Sequence, residues 1–204
     1  MPAGIVIVGL GPGNPEQLTL EAWRVLESAS RVYLRTQRHP TVSALPCGPA
    51  YSSFDEAYEN GASFGEVYEH IAQRVLELGR SPDGVVYAVP GHPLAGETTV
   101  TRILALAQAA QVPVRIVAGV SFLEPTTIAL GIDPFDGLQI CDATLLAQRH
   151  HPNLDPDVAT LVVQVYDRQV ASDCKLALMN LYPDDHPLRL VCGAGLPNQS
   201  VREI

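Results

Sequence analysis

Hydrophobic and polar positions form two kinds of pattern along the first part of the chain. Continuous apolar runs rich in β-branched residues alternate with stretches whose apolar residues recur at helical spacing. The predicted strands are residues 4–9, 31–36, 84–90 and 112–119, and the predicted helices are 19–30, 63–80 and 99–111. Continuous apolar strands between helices predict an α/β fold with a mainly parallel sheet that is covered on both faces.

The pattern changes after about residue 123. Three further strands are predicted at 138–146, 159–167 and 188–195, and Pro- and Asp-rich connections separate them. We therefore expect two α/β subdomains, residues 1–120 with a mainly parallel sheet and residues 121–204 with a mixed one. The last residues predict a loop and the opening turn of a helix, too short to be stable alone, so we expect a longer natural chain.

Composition and charge narrow the possible functions. The chain has 204 residues, of which 47% are hydrophobic and 17% charged, enough for a substantial core. Its formal net charge is −9, and its 13 basic residues form no cluster along the sequence. This charge distribution disfavours nucleic acids and anionic membranes as partners. Neither a membrane span nor a signal peptide is evident, and four scattered cysteines indicate reduced thiols in the cytoplasm rather than a metal site.

Glycine-rich turns follow several of these strands. They read GLGPGNP after the first strand, PGHPLAGE after the third, GVSFLEP after the fourth and GAGLPNQ near the chain end. Ligands of open α/β sheets bind beyond the carboxyl ends of strands, and glycine lets a backbone approach a ligand closely. Asn14 stands where a dinucleotide-binding fingerprint requires its third glycine, and no phosphate-binding loop with Gly-Lys-Ser/Thr is present. A different kind of nucleotide-binding domain is therefore the weaker alternative.

The order of these motifs resembles the tetrapyrrole (corrin/porphyrin) methylase family. Within that family, VYLRTQRHP, SFDEAYE, VVYAVPGHPLAGE and VAGVSFLEP are similar to the N-terminal domain of bacterial MazG/YabN-type nucleoside triphosphate pyrophosphohydrolases. The resemblance covers nearly the whole chain. It implies a tetrapyrrole methylase fold, in which the cofactor S-adenosylmethionine lies in a cleft between two α/β subdomains, a homodimer, and a MazG domain beyond Ile204.

The resemblance also assigns a cofactor site, residue by residue. The implied cofactor-binding residues are Pro12, Pro90, Gly91, His92, Ala95, Ser121, Phe122, Val165, Ala194 and Gly195. Most of these positions offer backbone or apolar contacts, which suits a ligand with an adenine ring and a sulfonium. No metal site is expected.

Two departures from the family pattern concern the chemistry. His92 replaces the acid of the family's Gly-Asp-Pro, so an imidazole enters the expected pocket. The family's acid just past the second strand, which can act as a base, falls near Leu34, and the sequence offers no replacement. The catalytic residues are therefore not assigned.

Several polar groups near the expected site allow two interpretations. Arg35, Arg38 and His39 are either a subsite for an anionic acceptor or a solvated loop. The acidic cluster of residues 55–59 either lines an acceptor or cation site or is solvent-exposed, and a metal role for the pair 150–151 is disfavoured.

Two functions follow from these expectations. The first is an S-adenosylmethionine-dependent methyltransferase that acts on an unidentified small molecule. The second is a non-catalytic ligand-binding or dimerisation module that regulates a fused nucleoside triphosphate pyrophosphohydrolase. The missing acid near Leu34 favours the second function, whereas the intact glycine turns favour a cofactor pocket.

Overall fold

A computed structural model describes residues 4–60 and 63–204. Its strands are β1 Ile5–Gly9, β2 Arg31–Leu34, β3 Ala50–Ser53, β4 Val85–Val89, β5 Val114–Val117, β6 Leu138–Asp142, β7 Ala159–Val163, β8 Arg189–Cys192 and β9 Ser200–Glu203. Its α-helices are α1 Leu20–Ser28, α2 Asp55–Asn60, α3 Phe64–Gly79, α4 Thr98–Ala109, α5 Leu123–Leu130, α6 Ala143–Leu146 and α7 Arg168–Leu178. Short 3₁₀ turns cover Pro15–Gln17, Pro40–Ala44 and Pro134–Asp136.

The chain divides into two compact units. Unit 1 comprises Met1–Thr126 and Gly193–Gln199, and unit 2 comprises Thr127–Cys192 and Ser200–Ile204. The segment Gly193–Gln199, which the sequence pattern places in the second subdomain, thus packs with unit 1.

Unit 1 contains a parallel five-stranded sheet, as the apolar runs predict. The strand order is β3-β2-β4-β1-β5, and every neighbouring pair is parallel. Strand β1 lies between β4 and β5, with Ile5 opposite both Val85 and Val114. Because all five strands point the same way, their carboxyl ends and the glycine turns that follow them share one edge of the sheet.

Alternate residues of the central strands bury their side chains on opposite faces of this sheet. Ile5 and Ile7 of β1 pack on one face in a cluster with side chains of α3 and α4. Val8 packs on the other face in a cluster with α1 side chains. Burial of both faces explains why these strands read as continuous apolar runs rather than as alternating ones.

Two of the predicted helices, α1 and α3, begin directly after a residue whose side chain caps the helix N-terminus. Thr19 accepts a hydrogen bond from the Ala22 N–H at the start of α1, and Ser63 accepts one from the Glu66 N–H at the start of α3. Asn14 caps the preceding 3₁₀ turn instead, with Pro15 at its first position. Each cap satisfies an N–H that the helix itself leaves unpaired.

Unit 2 combines a parallel pair, β6 and β7, with an antiparallel pair, β8 and β9. The predicted strand 138–146 is too long, because the Asp142 carboxylate accepts the Thr144 N–H and starts α6. The predicted strand 159–167 ends at Val163, since Gln164 adopts a φ of 66°. The expected helix at the chain end is also wrong: residues 200–203 form β9, paired in register with β8.

Four elements lack a clear periodic signal and were not predicted: edge strand β3 and helices α2, α5 and α7. Cys192 is exposed rather than buried as its apolar strand suggests, and all four cysteines are free thiols. Within the described ranges, no helix is both long and apolar enough to cross a membrane.

Candidate functional site

Three glycines at the carboxyl ends of β1, β4 and β5 bring three backbones into direct contact. A Cβ on Gly9 would lie 2.6 Å from the backbone nitrogen of Gly119 and 2.6 Å from the carbonyl oxygen of Gly91. A Cβ on Gly119 would lie only 2.2 Å from the same oxygen. We call Gly9, Gly91 and Gly119 the glycine junction, because no other residue type fits at the first and third positions.

Hydrogen bonds hold the first two turns together beyond the sheet. The Gly11 N–H donates to the Gly91 oxygen at 3.2 Å, and the Gly91 N–H donates to the Gly11 oxygen at 2.7 Å. The third turn is joined to α1 by the Thr19 hydroxyl, which donates to the Ala118 oxygen at 3.0 Å. The site predicted from three separate sequence motifs is therefore a single backbone framework.

Gly91 differs from the other two members of the junction. Its φ is +64°, and a Cβ at this position would meet no atom within 4 Å. Here glycine is required by the left-handed backbone, and space remains beside it rather than protein atoms. The second turn thus presents an open backbone surface at the centre of the site.

The residues around Gly91 are partly accessible. Pro90, His92 and Ala95 are half-buried, and the Ala95 N–H donates to the His92 oxygen at 3.0 Å. His92 Nδ1 accepts the Leu94 N–H at 3.1 Å, so a neutral imidazole carries its proton on Nε2. The imidazole that replaces the family's acid is thus oriented by its own turn.

The third turn is ordered by Glu124. Its carboxylate accepts hydrogen bonds from the Ser121 N–H at 2.9 Å and the Ser121 hydroxyl at 2.7 Å. Burial alone would raise the pKa of Glu124, but hydrogen bonds from Ser121 and the backbone, together with the nearby His92, outweigh burial and lower this pKa. Ser121 is buried and Phe122 is half-buried, so Ser121 mainly shapes the turn.

The segment Gly193–Gln199 lies against the first turn and the start of α5. A Cβ on Gly195 would lie 2.9 Å from Pro125 Cβ and 3.1 Å from Gln17 Oε1, and a Cβ on Gly13 would lie 3.1 Å from Leu196. The structure therefore brings together nine of the ten predicted cofactor-binding positions within unit 1. The tenth, Val165, belongs to unit 2, where it is exposed and follows the left-handed Gln164.

Two open cavities of unit 1 flank the 3₁₀ turn Pro40–Ala44 and share Pro40 and Ser43. One has a volume of about 520 Å³ and is lined by Gly13, Asn14, Pro15, Pro40, Ser43, Gly195, Leu196 and Pro197. The other has about 510 Å³ and is lined by Leu34, Gln37, Arg38, His39, Pro40, Val42, Ser43 and Tyr51. The first adjoins the glycine turns, and the second adjoins the carboxyl end of β2.

A partly buried polar cluster next to the second turn surrounds Arg35 with partners that the sequence interpretation missed. Arg35 Nη1 lies 3.2 Å from Glu97 Oε2, and Arg35 Nε donates to the Tyr58 hydroxyl at 3.0 Å. The Thr99 hydroxyl donates to Glu97, and the Tyr87 hydroxyl donates to Thr99. We call these five residues the Arg35 cluster. An acid inside a proline- and glycine-rich turn was the one signal for it.

Burial and ion pairing shift the pKa values of Glu97 and Arg35 in this cluster. The Glu97 side chain is only 5% exposed, and burial raises its pKa although the adjacent guanidinium opposes the rise. Burial alone would lower the pKa of Arg35, but the Glu97 carboxylate together with Tyr58 and Tyr87 outweighs burial and raises this pKa. Leu34, where the family's acid was expected, is fully buried at the end of β2 and offers no titratable group.

The other charged candidates have structural roles. Arg38 pairs with Glu59 at 2.9 Å on the surface, with most of both side chains exposed. Asp55 accepts the Thr36 hydroxyl at 2.6 Å and the Gln37 N–H at 2.8 Å, which fixes the loop after β2. This acidic residue therefore orders the loop and is not merely solvated.

His39 is half-buried, and burial lowers its pKa. In unit 2, His150 and His151 are exposed, with ring centroids 4.5 Å apart. Among the described residues, no group of three or more potential metal-ligating side chains occurs.

Comparisons with solved structures agree with this architecture. Uroporphyrin-III-C-methyltransferase from Thermus thermophilus is 25% identical, with a TM-score of 0.68 over 98% of this chain and 82% of that chain. The cobalamin biosynthetic enzyme cobalt precorrin-4 methyltransferase is 16% identical, with a TM-score of 0.65 over 98% of this chain and 84% of that one, which shows the fold alone.

Sequence comparisons identify relatives and the family. The uncharacterized protein YabN of Bacillus subtilis is 38% identical over 210 residues, and this chain spans 41% of that protein's length. A methyltransferase/ribosomally synthesized cyclic peptide dendrothelin A precursor from Dendrothele bispora is 29% identical over 65% of this chain and 32% of its own length. Residues 4–204 match the family described as Tetrapyrrole (Corrin/Porphyrin) Methylases. The chain belongs to the tetrapyrrole methylase family.

Proposed function

We propose that this chain binds S-adenosylmethionine at the glycine turns of unit 1 and transfers its methyl group to a small-molecule acceptor. The observation that carries the proposal is Gly91, whose left-handed backbone faces open space while the neighbouring glycines touch. A Cβ would fill this space, so the residues present fit a ligand that lies against the backbone.

Relatives support the same function. A solved structure of uroporphyrin-III C-methyltransferase from Thermus thermophilus contains S-adenosylhomocysteine, and it is 23% identical to this chain with a TM-score of 0.68. Two relatives, from Dendrothele bispora and Anomoporia bombycina, carry the name methyltransferase. The cofactor supplies an electrophilic methyl group on a sulfonium.

The chain's own residues would bind and orient the cofactor. Pro12 and Pro90 offer rigid backbone that loses little entropy when a ligand binds, and Gly91 is held in place by its two hydrogen bonds with Gly11. Ser121 is held by Glu124 and keeps the third turn in place. The remaining proposed contacts of unit 1 are His92, Ala95, Phe122, Ala194 and Gly195.

The binding experiment is calorimetric titration with S-adenosylmethionine and, separately, with S-adenosylhomocysteine. Saturable binding at micromolar concentrations supports the cofactor site and justifies a screen of acceptors that begins with tetrapyrroles. Failure of the folded protein to bind either ligand refutes the proposal.

The alternative is a non-catalytic module that regulates a fused nucleoside triphosphate pyrophosphohydrolase. It is favoured by one observation: Arg35, engaged with Glu97, follows the buried Leu34 where the family's acid was expected. Cofactor binding without methyl transfer to any acceptor in the screen supports this alternative, and transfer to any of them excludes it.

The wider assembly is proposed from the same resemblance. We infer a cytoplasmic homodimer and fusion to a MazG domain from the motif resemblance alone; this chain spans 41% of the length of its Bacillus relative. Sedimentation at micromolar concentration tests the dimer, and a monomer throughout the concentration range contradicts it.

A further inference from the structure

The imidazole of His92 is held against its own turn, directly after Gly91. Its Nδ1 atom accepts a hydrogen bond from the Leu94 N–H at 3.1 Å, two residues further along the chain. The Ala95 N–H donates to the His92 carbonyl oxygen at 3.0 Å and closes the same turn. The ring therefore has a fixed orientation, which its neighbours in sequence determine.

The hydrogen bond to Nδ1 is the one that an aspartate or asparagine makes in an Asx turn. There, a side-chain oxygen accepts the backbone N–H two residues on and stabilises the turn. His92 Nδ1 takes the place of that oxygen. Aspartate, asparagine and histidine can therefore all support this turn, and they differ in the atom that the other end of the side chain presents.

The outer nitrogen of the ring is a hydrogen-bond donor. A neutral imidazole whose Nδ1 accepts a hydrogen bond carries its proton on Nε2, whereas an aspartate would present a second acceptor oxygen. No described residue accepts a hydrogen bond from His92 Nε2. Within the described ranges, the buried side-chain polar atoms without a partner belong to Gln17, His39 and Thr41. Because Nε2 is not among them, this donor is accessible to a ligand.

The space around the ring combines open backbone with an ionised acid. A Cβ on Gly91 would meet no atom within 4 Å, so a ligand has room next to the ring. Burial opposes ionisation of Glu124, but its hydrogen bonds and the nearby His92 lower its pKa, so this carboxyl is ionised at neutral pH. A hydrogen-bond donor and a negative charge thus lie near each other where the second and third turns end. This arrangement suits a ligand group that carries both charges.

We propose that His92 Nε2–H binds the carboxylate at the amino-acid end of S-adenosylmethionine, with the ammonium group of that end on the side of Glu124. The inference rests on the proposed function and names the part of the cofactor that lies against the second turn. The carboxylate is the one anionic group of the cofactor, and hydrogen bonds to ionised acceptors are stronger than those to neutral ones. The ribose hydroxyls both donate and accept, so they do not require a donor from the protein. His92 is therefore a specificity-determining residue for the cofactor.

Two ligands that differ by this carboxylate alone provide the test. S-adenosylhomocysteine carries the carboxylate, and decarboxylated S-adenosylhomocysteine is the same molecule without it. Calorimetric titration of the whole chain is expected to give a dissociation constant about tenfold lower for S-adenosylhomocysteine. The ratio of the two constants, which we call the carboxylate preference, is then compared among variants.

Two variants keep the turn and change the outer atom. In His92→Asn the side-chain oxygen accepts the Leu94 N–H and the amide nitrogen is still a donor, whereas in His92→Asp a second acceptor oxygen faces the ligand. We expect a several-fold carboxylate preference in His92→Asn. In His92→Asp we expect the preference to be lost or reversed, because two carboxylates repel each other.

Leu94 offers the matched control for the added charge. Its side chain is 58% exposed, and its backbone N–H is the group that binds the ring. Leu94→Asp compared with Leu94→Asn adds the same charge to the same turn, but in solvent, where salt screens it. The carboxylate preference is expected to be nearly the same in these two variants.

The ring nitrogens of His92 give a second readout, even if both His92 variants fail to fold. In a long-range proton–nitrogen correlation spectrum of the unchanged protein, we expect His92 to carry its proton on Nε2. S-adenosylhomocysteine is expected to shift the Nε2 resonance, and the decarboxylated ligand is expected to leave it in place. A proton on Nδ1, or equal shifts with both ligands, would contradict the proposed contact.

The titrations can overturn the inference in two ways that leave cofactor binding intact. Equal affinity of the unchanged protein for the two ligands would mean that no donor binds the carboxylate. An equal preference in His92→Asn and His92→Asp, or an equal loss in Leu94→Asp, would mean that His92 does not recognise this group. If the unchanged protein binds neither ligand, the proposed function itself fails, and the inference fails with it.

Discussion

Replacing Gly91 by valine separates the cofactor pocket from the scaffold. The new side chain meets no protein atom within 4 Å of its Cβ, so it is accommodated without a clash. The cost comes from the backbone, whose φ of +64° is unfavourable for a residue with a Cβ by about 1–2 kcal/mol. A domain of this size has about 5–15 kcal/mol of stability, so the variant is expected to fold.

The matched control is Gly131→Val. Gly131 also has a φ of +64° and also faces open space, but it lies in unit 2, just after α5. Both variants are therefore expected to unfold at temperatures lower by about 2–8 °C. They differ only in what the new side chain meets when a ligand binds.

The assay is calorimetric titration with S-adenosylhomocysteine. A valine in space that the ligand needs is expected to weaken binding by about 2–3 kcal/mol, a factor of about 30–150. Gly131→Val is expected to bind as the unchanged protein does. Unaltered affinity in folded Gly91→Val, or an equal loss in both variants, would refute the assignment of the pocket to this turn.

Three further predictions concern the stability of unit 1. Gly119→Ala places a Cβ 2.2 Å from the Gly91 oxygen and is expected to cost at least about 1–3 kcal/mol in urea unfolding, whereas Gly48→Ala, with no atom within 4 Å, is expected to be nearly neutral. Burial opposes ionisation of the Asp55 carboxyl, but hydrogen bonds to the carboxylate outweigh burial and lower the pKa of Asp55. The ionised carboxylate therefore stabilises the fold above the unfolded pKa of about 3.9, and this stabilisation is lost as the pH falls through the lower folded pKa. The stability difference between the unchanged protein and Asp55→Asn should therefore shrink in acid, and a difference independent of pH would contradict this. Gln111→Gly relieves a φ of 57° after α4 and is expected to raise the urea midpoint; a lower midpoint would show that the lost side-chain contact matters more than the strain.

The sequence was sufficient to predict the strands and turns that are marked by local residue types. Continuous apolar runs located β1 and β4, and the end of each run together with glycine located the turns that follow. The prediction of an α/β fold with a parallel sheet is confirmed by the structure and its neighbours. These features depend on side-chain burial and on φ, both of which residue type constrains directly.

Long-range partners were not visible in the sequence. The contact between Gly9 and Gly119 depends on the order in which strands assemble, which residue type does not encode locally. The pairing of Arg35 with Glu97 likewise needs β2 beside β4. The helix expected at the chain end failed for a similar reason, because residues 200–203 gain hydrogen bonds to β8 that a short isolated helix cannot match.

The glycine junction has a consequence for attempts to change which small molecule the proposed site accepts. Three chain segments are fastened at one point where backbone meets backbone, and no side chain is available there to enlarge or reshape. Laboratory evolution should therefore find this point intolerant of substitution, while the stretch from Gln37 to Ser43 offers varied side chains along an open cavity. A library for new acceptors belongs in that stretch, with the three glycines left unchanged.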